Sequence, residues 1–169
     1  MASLRRKHWL FFAVVAGILL FCQLTSYWIN QELLIGKSQK IFSFLHFTHV
    51  RNQGGIFGIF QGKGWLFAAV SVLFIGILIM FLLRSKSVRT YEYIFYGFIV
   101  GGGLSNITDR LIYGSVVDFI DVRGIAFWHY IFNTADLMIH LGVWPLVLMY
   151  MLPQRGKEPE LSDSEVASS

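Results

Sequence analysis

A chain of 169 residues that is 55% hydrophobic and only 14% charged is too apolar for an ordinary soluble domain and reads as a membrane protein. Its net charge of +4 does not call for nucleic acid: the basic residues flank apolar stretches instead of forming one stripe, and membrane lipids with anionic headgroups are sufficient partners. A single cysteine, Cys22, excludes an intrachain disulfide framework.

Four stretches carry no Asp, Glu, Lys or Arg: residues 9–31, 64–83, 93–108 and 137–154. At about 20 residues per span they predict a mainly α membrane protein with four transmembrane helices, over 9–29, 65–83, 92–108 and 136–152. The first begins as secretory signals do, with Arg5, Arg6 and Lys7 before an apolar run. That run is long enough to span, and no small-x-small pattern closes it, so it is read as a retained anchor. Segment 30–64 alternates weakly around Ile41-Phe42-Ser43-Phe44-Leu45-His46-Phe47 and then carries glycines at 54, 55, 58, 62 and 64. This predicts short strands and turns in a small extracytoplasmic β-sheet, its aromatics resting at the membrane interface. Arg84, Lys86 and Arg89 crowd the link between the second and third spans. With the basic N-terminus, they place both termini in the cytoplasm and segments 30–64 and 109–135 outside. Lys37, Lys40, Arg51 and Lys63 in the first outer segment make this bias one of density, not count.

In the third span, Gly97, Gly101, Gly102 and Gly103 predict a close helix-packing face. The third and fourth spans are the short ones. Their 16 and 18 uncharged residues reach roughly 24 and 27 Å, against a hydrocarbon core of about 30 Å. Asp109 and Asp136 at their outer ends are therefore expected beside lipid, where an ionisable group is a functional candidate by default. Residues 1–152 are expected to form a single domain. From Pro153 onward, Glu158, Glu160, Asp163 and Glu165 stand among Ser and Gly, a composition that predicts a disordered cytoplasmic tail.

Peptide hydrolysis without a metal or a covalent nucleophile needs one carboxylate to activate water and a second, protonated, to polarise the carbonyl and serve the leaving amine. Two carboxyls brought together share one proton, because like charges that close do not both ionise. Of the ten acidic residues, four lie in the tail, Glu92 is cytoplasmic and Glu32 follows the first span. That leaves Asp109, Asp118, Asp121 and Asp136. Asp118 interrupts the strand-like run Val116-Val117-Asp118-Phe119-Ile120, where an unpaired acid is expensive, and Asp136 opens the fourth span. Both acids also fall three residues after a possible N-cap, Ser115 and Asn133, so spacing alone leaves a dyad and a helix cap both open. Asn106, Asp109 and Arg110 stand at helical spacings where they either hold a substrate or cap the helix end. His140 and His129 near Asp136 raise a zinc reading, but no His-Glu-x-x-His pattern accompanies them and no metal is expected. His8, His46 and His49 are expected at the interface. Ser105 and Ser115 have no evident base for serine chemistry.

Three blocks, Gly102-Gly103-Leu104-Ser105-Asn106-Ile107-Thr108-Asp109-Arg110, Gly114-Ser115-Val116-Val117-Asp118-Phe119-Ile120 and Phe132-Asn133-Thr134-Ala135-Asp136, together with Arg51-Asn52-Gln53-Gly54-Gly55 upstream, resemble the signature blocks of bacterial lipoprotein signal peptidase, signal peptidase II. The resemblance covers residues from about 9 to 152. It implies an aspartic peptidase without cofactor, embedded in the bacterial inner membrane, that removes signal peptides from diacylglyceryl-modified prolipoproteins, cutting on the amino side of the lipidated cysteine. Its catalytic acids fall on Asp118 and Asp136. Its substrate-contacting and site-shaping residues fall on Asn52, Gly54, Asn106, Asp109, Arg110 and Asn133. A monomer, and globomycin-type inhibitors as ligands, follow from the same resemblance. One block departs: where the family usually carries Asp-Gln-x-Ser/Thr-Lys, this chain has Cys22-Gln23-Leu24-Thr25-Ser26. A non-catalytic or specialised paralogue that grips lipidated signal peptides is the alternative this departure raises.

Overall fold

The computed structural model describes residues 2–55 and 59–152, with side chains from Leu4 onward. The expected tail from Pro153, and Ile56, Phe57 and Gly58, lie outside the described residues. In chain order the elements are α1 (Ala2–Glu32), β1 (Ser38–Lys40), β2 (Leu45–Asn52), α2 (Gly64–Arg84), α3 (Glu92–Tyr113), β3 (Val116–Val122), β4 (Ile131–Phe132) and α4 (Thr134–Met151).

Three helices, Leu4–Glu32, Gly64–Arg84 and Thr134–Met151, are long and apolar enough to cross a membrane. The remaining one, α3, has 22 residues and a length of about 33 Å, but Glu92, Asn106, Asp109 and Arg110 lower its apolarity. It is the inner helix, packed against α1, α4 and α2. Both α1 and α3 continue past their expected outer ends. In α3 the reason is visible: Asp109 is 1% exposed and bonded inside the protein, so it faces neither lipid nor water and does not end the helix. The stop comes at Gly114, whose φ of 70° suits glycine and whose N–H donates to the Arg110 carbonyl.

Helices in lipid have no apolar driving force toward one another and associate by close packing. The glycines supply that packing. A Cβ on Gly97 would stand 2.7 Å from Val14 of α1, one on Gly101 2.7 Å from Ile18, and one on Gly102 2.6 Å from the Ala135 carbonyl of α4. Gly142 of α4 would meet the Phe95 carbonyl of α3 at 2.5 Å. The third span's glycines thus press α3 against α1 on one face and α4 on another.

Segments 30–64 and 109–135 build one antiparallel sheet in the order β1-β2-β3-β4. The first segment supplies only half of it, because β3 and β4 come from 109–135. Strand β2 joins the two, with Val50 opposite Asp118, Arg51 opposite Val117 and Asn52 opposite Val116. The alternation in β3 drives the pairing: Val117 and Phe119 pack with Ile29 of α1 in a small core between the sheet and that helix. Phe47 closes that core edge-on to Phe119, ring centres 5.6 Å apart.

Candidate active site

Asp118 and Asp136 are brought to one place by different elements, mid-strand β3 and the first turn of α4. Asn133 links them. Its Nδ2 donates to Asp118 Oδ1 at 2.7 Å, while its Oδ1 accepts from the Asp136 backbone N–H at 2.9 Å. A second asparagine serves each acid. Asn52 Nδ2 donates to Asp118 Oδ2 at 3.0 Å, and Asn106 Nδ2 donates to Asp136 Oδ1 at 2.8 Å. Asn133 Nδ2 also reaches Asn106 Oδ1 at 3.1 Å, so the amides form one continuous network around both carboxyls.

The capping alternative resolves differently at the two acids. Asn133 and Asp136 form a capping box, the Asn133 N–H meeting Asp136 Oδ2 at 3.4 Å. This cap is part of the site, since the asparagine that starts α4 is the one that holds Asp118. No cap exists at Asp118, which lies in a strand, and Ser115 Oγ turns back to the Tyr113 carbonyl.

Asp118 is 3% exposed. Burial pushes its carboxyl up to about 7, and the nearby charge of Asp136 adds to the push against the downward pull of Asn52 and Asn133. Every donor that holds the two acids in place is an amide or a backbone N–H, and none is a cation within salt-bridge reach among the described residues. Such a site fixes geometry without forcing both carboxyls to ionise.

Arg110 lies beside the pair. Its Nη2 donates to the Gly54 carbonyl at 2.9 Å and its Nη1 to the Asn106 carbonyl at 3.0 Å, while Nε is buried with no partner among the described residues. Asn52 Oδ1 accepts from the Gly54 N–H at 2.9 Å. The Asn52–Gly54 turn is thus held from both sides, and a Cβ on Gly54 would collide with the Ile59 carbonyl.

The expected Asn106, Asp109 and Arg110 cluster divides. Asn106 and Arg110 face the acids. Asp109 faces α1 and β3, accepting from Gln23 Nε2 at 2.9 Å, Ser26 Oγ at 3.2 Å and the Val117 N–H at 3.0 Å. Its side chain points into the seam between α1 and β3. Gln23, Thr25 and Ser26 are the residues that sequence reasoning left without a role. Thr25 and Thr134 hydroxyls meet at 2.6 Å, which ties α1 to the start of α4, and Cys22 is fully buried. The available signal was three polar side chains within four positions of an apolar span. His49 is also corrected: it is 2% exposed, with Nδ1 2.6 Å from the Leu33 carbonyl, and joins the end of α1 to β2. Asp121 and His129 lie outside the acid pair; Asp121 pairs with Arg123 at 2.7 Å. Among the described residues no three His, Cys, Asp or Glu side chains gather in a metal-holding arrangement.

Over most of its length the chain is similar to known proteins. The family model of signal peptidase (SPase) II matches residues 14–152. The lipoprotein signal peptidase of Serratia proteamaculans is 35% identical over 154 residues, covering 88% of this chain and 89% of that protein. That of Trichormus variabilis is 38% identical over 151 residues, with 86% and 91% covered. A solved bacterial membrane enzyme superposes with a TM-score of 0.76 at 28% identity, covering 83% of this chain and 86% of its own. With the family model spanning both acids and every element from α1 to α4, the chain belongs to the signal peptidase II family.

Proposed function

We propose that Asp118 and Asp136 are the catalytic pair of this enzyme, acting on a water held between them. Membership of the family makes the chain a membrane aspartic peptidase that processes prolipoproteins. The observation that carries the residue assignment is the Asn133 amide, which contacts Asp118 with one end and Asp136 with the other.

In the working state the pair carries one proton. The ionised carboxylate takes a proton from water as its oxygen adds to the scissile carbonyl carbon, and the protonated partner donates to the carbonyl oxygen. Collapse of the tetrahedral intermediate breaks the C–N bond, and a carboxyl gives its proton to the leaving amine. The Asp118 carboxyl, raised to about 7, lets the pair hold its shared proton near neutral pH. Asn52, Asn106 and Asn133 hold the acids, Arg110 holds Gly54, and the spare Nε donor of Arg110 is available to a substrate carbonyl. Asp109 is a positioning residue, fixing β3 one residue before Asp118.

We further propose that α3 is the fourth span, that both termini are cytoplasmic, and that residues 2–152 act as one unit with the site at the outer face. The support is the basic residues at the inner ends of α1 and α2 and the sheet at the opposite ends of the helices. The cut falls on the amino side of a diacylglyceryl cysteine, whose chains account for a site level with lipid. A monomer and globomycin-type inhibitors complete this reading. Purified protein with a diacylated precursor is the test. Asp118→Asn and Asp136→Asn each abolish cleavage in protein that still inserts and folds, and turnover in either variant overturns the assignment. Chelator leaves cleavage unchanged.

A further inference from the structure

His140 is an ionisable side chain that the two acids do not use. It lies one turn further along α4 than Asp136, within the membrane-crossing helix, and its side chain is exposed. A group of this kind in lipid is costly and is a functional candidate. Its Nδ1 stands 2.8 Å from the Asp136 carbonyl oxygen. A carbonyl only accepts, so Nδ1 carries the proton, and in the neutral ring Nε2 is an acceptor. Among the described residues nothing bonds to that Nε2.

The packing of α4 sets where the ring faces. Ala135 and Gly142 lie against Gly102 and Ile99 of α3, and Thr134 turns to α1 through Thr25. At about 100° per residue, Asp136 and His140 fall on the shoulder of α4 opposite Thr134. On that side of α3 stands α2, whose Ile75 meets Gly103. Helix α2 packs on α3 and not closely on α4, so His140 lies on the side of α4 toward α2, one turn from Asp136.

A signal peptide must be extended where it is cut. In lipid, each extended backbone N–H without a partner is expensive. The nearby amide oxygens of Asn106 and Asn133 already accept, from the Asn133 amide and the Asp136 N–H, which leaves Nε2 as an acceptor on this wall. One turn of helix, about 5 to 6 Å, corresponds to about two residues of extended peptide. We propose that His140 is a substrate-binding residue whose Nε2 accepts a hydrogen bond from a signal-peptide backbone N–H about two residues to the amino side of the scissile bond. This rests on the signal peptidase reading of the site.

The test uses purified enzyme in lipid with diacylated precursor peptides, comparing wild type, His140→Phe and His140→Gln. Phe keeps the ring shape without the acceptor; the Gln carbonyl restores one. A single hydrogen bond lost from binding raises KM roughly five- to tenfold, with kcat reduced less than twofold, and Gln recovers most of the loss. Precursors in which one backbone N–H is replaced by an ester oxygen, at each of the three residues before the cut, locate the partner. One position costs a similar factor in wild type and Gln but nothing further in Phe. An unchanged KM in His140→Phe, or an ester penalty equal in all three proteins, overturns the proposal. If His140→Phe fails to fold, the ester series in wild type and Gln decides: a penalty at no position overturns it. Asp118→Asn run alongside separates the two readings, since its retained cleavage sinks the catalytic pair, whereas flat His140 results beside an inactive Asp118→Asn sink only the His140 role.

Discussion

Strand β3 carries two acids three residues apart, and they have opposite fates. Side chains alternate along a strand, so Asp118 and Asp121 point to opposite faces. Asp118 enters the seam between the sheet and α4, where neutral amides hold it and burial raises its carboxyl to about 7. Asp121 sits near the solvent end. Partial burial raises it, but the Arg123 guanidinium and the Thr48 hydroxyl outweigh that and hold it below the ordinary range. The lesson is that the type of donor matters as much as the depth. A cation commits an acid to its charge, whereas an amide leaves it able to carry a proton.

The sharpest way to break this comparison is to substitute both acids alike. Asp118→Asn is expected to lower kcat by roughly 10³-fold or more, while Asp121→Asn keeps wild-type kcat and costs under about 1 kcal/mol of stability. Cleavage rates and thermal unfolding in the same lipid check both. Equal losses would end the distinction.

Next in size is Asn133→Ala, which removes a donor to Asp118 and the cap of α4 together. It should cost about 1–3 kcal/mol of stability and lower kcat by roughly 10²-fold. Asn133→Ser keeps a cap oxygen without the amide, so it should recover stability more than rate. If rate and stability recover together, Asn133 is a cap and no more.

The Asp109 seam offers a middle-sized effect. Asp109→Leu leaves the Val117 N–H without an acceptor, while the Gln23 amide keeps Ser105, and should destabilise by about 1–3 kcal/mol. Asp109→Asn should cost less than half as much, because one oxygen still accepts from Val117. Urea unfolding of the two variants in detergent measures the difference.

The pH dependence is the smallest change and the most direct probe of the raised carboxyl. With Asp118 near 7, the pair keeps its shared proton below about pH 7 and loses it above. Then kcat/KM should be level just below neutrality and fall about tenfold per pH unit well above it. The sign is that of an acid lost by deprotonation. A profile rising through neutrality would mean that the pair works only after losing that proton, and would overturn the shared-proton reading.

Much of this was legible in the chain. Spans are set by composition and length, which are local, so the three apolar helices were visible in residues 9–31, 64–83 and 137–154. The glycine face of α3 was visible for the same reason, as a spacing of small residues. The order of the signature blocks around Asn52, Asn106, Asp118 and Asp136 carried the family. The far end of α3 was misjudged, because whether Asp109 stops a helix depends on the Gln23, Ser26 and Val117 donors, which come from other elements.

Returning to Asp118 and Asp136, the sequence by itself determined that both are acids set in apolar surroundings at the same end of a membrane protein. It left open whether each caps a helix or joins a pair, because capping and pairing share the same three-residue spacing. Tertiary structure decided that Asp118 caps nothing and that Asn133 does both jobs at once. The reason is physical: a hydrogen bond between β3 and α4 depends on the sheet register and the packing of α4 on α3, and neither distance is written in any local run of residues.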